Sequence, residues 1–157
     1  MKKDKAVNYV RIDLGHRKSK ALSGYALVAM HLWFVLKLNL PSSEGLMELI
    51  VGLCALTGMI ASIIFFVSTY GVLANAPDQM LDEREVGERY RAYFDSFKYL
   101  LLMTILGGMI PELMSKALGF ELSVGVMKNF MLLMFTTGLV LPGTFLAWRD
   151  RPVIAED

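Results

Sequence analysis

The sequence predicts an all-α integral membrane protein with four transmembrane helices, arranged as two hairpins with both termini in the cytoplasm. Three observations carry that prediction. Four apolar runs each exceed the roughly 18 residues that separate spanning helices from buried soluble ones. The charged residues gather at the N-terminus, in one central stretch and at the C-terminus, whereas a soluble domain scatters them over its surface. Lysine and arginine fall almost entirely on one side of the implied bilayer.

The first run, residues 21–40, is about 30 Å long as a helix, which matches a hydrocarbon core. Basic residues precede it, as in a signal peptide. Its apolar stretch is too long for one and no small-x-small cleavage site follows, so it reads as a retained anchor. Pro41, Ser42, Ser43 and Glu44 then predict a tight turn into the second run, residues 46–74. The third and fourth runs cover 99–118 and 124–148, joined by a short turn from Gly119 to Ser123. Backbone groups in hydrocarbon must be paired within their own segment, so all four runs are expected to be helices. The alternation of a membrane barrel is absent. With 157 residues and no low-complexity linker, the chain reads as one membrane domain, 1–157.

Orientation follows from the basic residues. Seven lie in 1–20 (Lys2, Lys3, Lys5, Arg11, Arg17, Lys18, Lys20) and four in the central stretch (Arg84, Arg89, Arg91, Lys98). Arg149 and Arg151 close the chain. Against these stand Lys116 and Lys128, with Lys37 near a helix end. The bias places both termini and the central stretch inside, and Trp148 beside Arg149 fits an interfacial anchor.

The central segment, 78–97, predicts a cytoplasmic amphipathic helix running into the third span. Pro77 ends the preceding helix, Asp78 is a suitable N-cap, and Glu85 stands four residues before Arg89 as an ion-pair partner. Val86, Tyr90, Tyr93, Phe94 and Phe97 share one helical face. That face suits the headgroup boundary, the ends of neighbouring helices, or a docking partner. Leu81-Asp82-Glu83-Arg84-Glu85, followed by Ala92 and Ser96 just before a span, resembles the Asp-Glu-Arg juxtamembrane motif of small uncharacterised bacterial membrane proteins. The resemblance covers residues 81–96. It implies a bacterial inner-membrane location and no particular chemistry.

Ionisable groups at membrane depth are costly, so each raises a functional question. His31 lies mid-way along the first run, where an imidazole can ligate haem or a pigment, contact a quinone, or bond a neighbouring helix. Lys37 and Glu48 flank the first outer turn at similar depth and are expected to pair. Glu112 stands toward the outer end of the third run. All three can snorkel or pair, or Glu48 and Glu112 can line a cation or proton path. Gly107, Gly108 and Pro111 predict a bend in the third helix, and Pro142 with Gly143 one in the fourth. Gly58 and Ser62 form a small-xxx-small step for close helix packing. Met127, Met131 and Met134 form a stripe on the fourth helix. Thioethers suit Cu(I), and a similar MxxxM pair occurs in copper-permeation proteins. Those proteins have three spans and a glycine-rich packing helix, so the stripe is read here as packing filler.

Several classes are set aside. A single cysteine, Cys54, precludes a disulfide framework and any multi-cysteine zinc site. No P-loop, dinucleotide fingerprint, HExxH, serine elbow or CxxC is present. A net charge of +1 offers no electrostatic case for nucleic acid. The expected partners are the lipid bilayer and other membrane subunits or a second copy, with bound lipid and no cofactor implied by a motif. The expected function is that of a non-enzymatic structural or accessory subunit. The competing expectation is a homo-oligomeric transporter or channel for a small solute, ion or proton.

Overall fold

A computed structural model describes residues 12–39, 45–118 and 123–149, and these are almost wholly helical. The helices are α1 (His16–Asn39), α2 (Leu46–Phe66), α3 (Thr69–Asn75), α4 (Glu83–Thr104), α5 (Ile110–Leu118) and α6 (Val124–Arg149). A 3-10 turn, Asp78–Met80, precedes α4, and a π-helical turn, Ile105–Met109, joins α4 to α5. Four stretches are long and apolar enough to cross a membrane: α1, α2, the composite helix Glu83–Leu113, and α6. The chain is therefore built as a multi-pass membrane protein. Residues 41–44 and 119–122 of the expected outer turns, and the flanks beyond 12 and 149, lie outside the described residues.

The fourth span is the centre of the bundle. Helix α6 packs against α1, α2, α3 and α4, while α1 also packs along α2. In its most apolar window 61% of α6 is buried, against 6% for the third span. Lipid tails are as apolar as leucine, so helices in a bilayer associate through close van der Waals contact and hydrogen bonds rather than by burying oil from water. The packing surfaces are correspondingly small. Gly58 on α2 faces Ala29 and Met30 of α1, as the small-xxx-small step predicted. Gly143 on α6 lies over Gly71 of α3; a Cβ there would stand 3.3 Å from the Gly71 Cα and 2.9 Å from the Phe65 ring. Phe65, Ala26, Ala61, Ala92, Val140 and Ala147 form one core cluster, and Met30, Trp33, Val51 and Leu133 form a second. Several hydroxyls within the helices bond back to their own backbone: Ser62 to the Gly58 carbonyl at 2.8 Å, Ser96 to Ala92 at 2.7 Å, Thr144 to Val140 at 2.9 Å. Backbonding of this kind satisfies a polar group where no water is available.

Three boundaries differ from the sequence expectation. The run 46–74 is not one helix. It breaks after Phe66, where Ile12 pairs into the gap: the Ile12 amide donates to the Val67 carbonyl and the Thr69 amide donates to Ile12, both at 3.2 Å. Two backbone groups that a continuous helix would satisfy internally are thus satisfied by a segment 55 or more residues away, a pairing that hydropathy cannot reveal. The amphipathic segment does run into the third span as one helix, but that helix begins at Glu83 instead of near 78 and passes through the π turn at Gly107 and Gly108, the position where a bend was predicted. Its N-cap is Asp82 rather than Asp78: the Asp82 carboxylate accepts from the Glu85 amide at 2.7 Å, and the Glu85 carboxylate accepts from the Asp82 amide at 3.1 Å. This reciprocal arrangement satisfies two otherwise orphaned donors. The first helix likewise starts earlier than 21, at His16, while α6 runs unbroken through Pro142.

Candidate functional site

The ends of the helices that carry most of the basic residues are tied together by polar contacts. His16 Nδ1 on α1 and the Tyr70 hydroxyl on α3 are hydrogen bonded at 2.8 Å. Arg89 on α4 turns back to donate to the Ala76 carbonyl and the Asp78 carboxylate. The expected Glu85–Arg89 pair does not form, because Glu85 caps the helix and the guanidinium points inward, 7% exposed, to the preceding turn. Arg84 and Glu88 make an i,i+4 pair at 3.0 Å. Asp95 accepts from Lys98 at 3.4 Å and from Arg149 at the end of α6. Arg89, Ala92 and Ser96 make up the buried face of α4. Ala92 and Ser96 of the juxtamembrane motif are therefore packing positions, small enough to let α4 approach α6.

The aromatic face points the other way. Tyr90, Tyr93, Phe94 and Phe97 are 57%, 41%, 59% and 61% exposed, and Val86 is half-buried. Among the described residues these rings stay largely exposed, with two hydroxyls reaching back to the end of α3 and the turn after it. The Tyr90 hydroxyl donates to Asp78 at 3.0 Å, and that of Tyr93 donates to Asn75 at 3.1 Å. The Lys98 ammonium stands 4.2 Å from the centre of the Phe94 ring. Below this face, Leu101, Leu102, Ile105, Leu106, Met109 and Leu113 continue the exposed apolar surface along the third span.

His31 is half-buried between α1 and the third span, with both ring nitrogens engaged. Nδ1–H donates to the Leu27 carbonyl at 2.7 Å, which leaves Nε2 to accept the Tyr99 hydroxyl of α4 at 2.9 Å. A ring held this way has no free lone pair for iron or magnesium while the Tyr99 bond stands. Tyr99, the partner that takes up Nε2 once the Leu27 carbonyl has fixed the tautomer, was not singled out by the sequence. Cys54 donates weakly to the Ala29 carbonyl at 3.4 Å.

The remaining intramembrane charges do not converge. Among the described residues no ion pair joins the half-buried Lys37 to the exposed Glu48, and Glu112 instead accepts from Lys116 at 2.7 Å, one turn on.

The π turn opens a crevice of about 370 Å³ between the third span and α6. Phe130 of α6 drives into the widened turn: a Cβ on Gly107 would stand 2.5 Å from its ring, which packs on Phe34 of α1 at 5.8 Å between centroids. Beyond the ring the crevice is lined by Met109, Met127, Met131 and Met134, with Glu112 at its edge. The stripe of the fourth helix was legible, being spaced i, i+4, i+7. The addition of Met109 was not, because an α-helical register does not account for the extra residue of a π turn.

Comparison with family models, with curated proteins and with solved structures finds no match to this chain. The assignment to polytopic membrane proteins therefore rests on the four helices alone.

Proposed function

We propose that this protein is a structural or accessory subunit that works by contact within a larger assembly of the bacterial cytoplasmic membrane. Its four spans form two hairpins, with the N-terminus, the α3–α4 connection and the C-terminus inside. The basic-residue bias supports that orientation. The observation that carries the contact reading is the open third span. Only 6% of its apolar window is buried, and its inner end presents Tyr90, Tyr93, Phe94 and Phe97 outward. Aromatic side chains held rigid at one edge and exposed at the other are the residues that dominate membrane-interface and protein-interface energetics. The partners are lipid and other membrane subunits, or a second copy of the chain. The competing transporter reading needs polar groups along one path, and Lys37, Glu48 and Glu112 share no hydrogen bond or ion pair among the described residues.

Extraction from native membranes in mild detergent, native electrophoresis and mass spectrometry of the band test the proposal. Co-migration with a larger complex, lost on Tyr90→Ala with Phe94→Ala and kept on Glu48→Ala or Glu112→Ala, supports it. A small homo-oligomer made only of this chain overturns it and favours flux assays. Visible absorbance in the band would reopen His31 as a ligand.

A further inference from the structure

We propose that the crevice between the third span and α6 is a binding site for a soft monovalent cation, Cu(I), with the thioethers of Met109, Met127, Met131 and Met134 as its ligands. The inference stands apart from the contact reading, and either can fail without the other.

The composition of the lining is the first argument. Leucine outnumbers methionine in this chain, and an apolar gap filled without chemical preference would draw mostly on leucine, isoleucine and valine. Another crevice, about 180 Å³ between α2 and α6, has that character: Ile63, Leu132 and Leu139 line it with phenylalanines and a single methionine, Met59. The crevice at the π turn has no leucine, isoleucine or valine. Every flexible apolar side chain there is a methionine, and they come from two different helices.

Geometry is the second argument. Met127, Met131 and Met134 lie on one face of α6. Met109 is the last residue of the π turn, whose extra residue re-aims the chain that follows. Phe130 holds the floor of the crevice against Gly107, so the opening is built into the backbone rather than left by a missing side chain. Met131 and Met109 are 65% and 55% exposed, so sulfur is reachable from the bilayer side or from the outer end.

Chemistry selects the ion. Uncharged thioethers bind Cu(I) and Ag(I) well and hard or divalent cations poorly. A neutral ligand set in hydrocarbon favours a single positive charge over two, since desolvation rises steeply with charge. Glu112 stands at the rim with one oxygen held by Lys116, near enough to bias entry without being a ligand. Binding is reversible and needs no change of oxidation state.

The full-length protein in detergent is titrated with Ag(I), a redox-inert stand-in, by calorimetry. Cu(I) is then titrated anaerobically against a chromophoric chelator, and the loaded protein is examined by X-ray absorption. Cys54→Ala removes the one thiol that could compete. The expected result is one ion per chain, undiminished in Cys54→Ala, with sulfur-only ligation. Met131→Leu and Met109→Leu should each weaken it by about tenfold or more, the scale on which even outer partners of metal ligands act. Met→Leu changes conserve volume, and Met131 is largely exposed, so these variants keep the fold. Absence of saturable binding overturns the proposal. So does binding that disappears in Cys54→Ala, or that survives replacement of all four methionines by leucine. Copurified acyl chains in place of metal, displaced by neither ion, overturn it as well.

Discussion

The Tyr99 hydroxyl donates to His31 Nε2 at 2.9 Å and is a direct polar link between α1 and the third span. Few other contacts join those two helices, since the third span packs mainly on α6. The bond therefore constrains the rotation of α4 relative to α1, while the Leu27 carbonyl sets the tautomer of the ring. Tyr99→Phe and His31→Leu should each lower the thermal stability of the purified protein. Their effects should be non-additive, with a coupling near 0.6 kcal/mol, the usual size for a hydrogen bond between membrane helices. Strict additivity in a double-mutant cycle would mean that the two groups do not meet.

Arg89 ties α4 to the turn before it through two acceptors at once, the Ala76 carbonyl and the Asp78 carboxylate. Arg89→Ala should cost about 1–2 kcal/mol, since it leaves a part-buried carbonyl without its donor while Asp78 stays partly hydrated. Arg89→Lys should recover less than half, because an ammonium lacks the planar fork that reaches both. Glu85→Gln should change little, as the amide oxygen can still accept the N-cap bond. A large loss on Glu85→Gln, read by denaturant titration, would instead point to an ion pair between Glu85 and Arg89.

Gly107 is required by Phe130. Gly107→Ala places a methyl 2.5 Å from the ring, with Phe34 behind it, and overpacking of this kind costs about 1–3 kcal/mol. Phe130→Leu shortens the obstructing side chain, so the double variant should be more stable than Gly107→Ala alone. Melting curves of the three variants check this. A double variant worse than both singles would show that Gly107 is needed for the π turn itself and not for clearance.

The bundle was largely readable because a bilayer restricts the options. Four long apolar runs must be helices, and each lies close to its predicted bounds at one end at least. The exceptions have separate physical causes. The second run breaks at Val67 and Ser68 because Ile12 satisfies the backbone there, and a window average carries no information about a partner so distant in sequence. The cap moved from Asp78 to Asp82 because Asp82 has Glu85 three residues on, a pattern present in the sequence but overshadowed by Pro77. The aromatic face of 86–97 was legible as a face, yet its direction depended on what the opposite face offered. Ala92 and Ser96 admit α6 closely, and the rings do not. At the crevice, three methionines were visible as a stripe and the fourth was hidden by a change of helical register.

Helix α6 touches every other spanning helix, and among the four it is the last to leave the ribosome. At about 5–20 residues per second, the earlier helices wait in the bilayer for seconds before their common neighbour is made. During that interval α1 and α2 have each other, joined by Gly58 against Met30 and by the Tyr25 hydroxyl on Thr57 at 2.8 Å. The third span has no comparable companion, and it carries the exposed rings. Translation that stalls before residue 124 would leave one finished pair and one orphan helix, the state that membrane quality control would have to recognise in this protein.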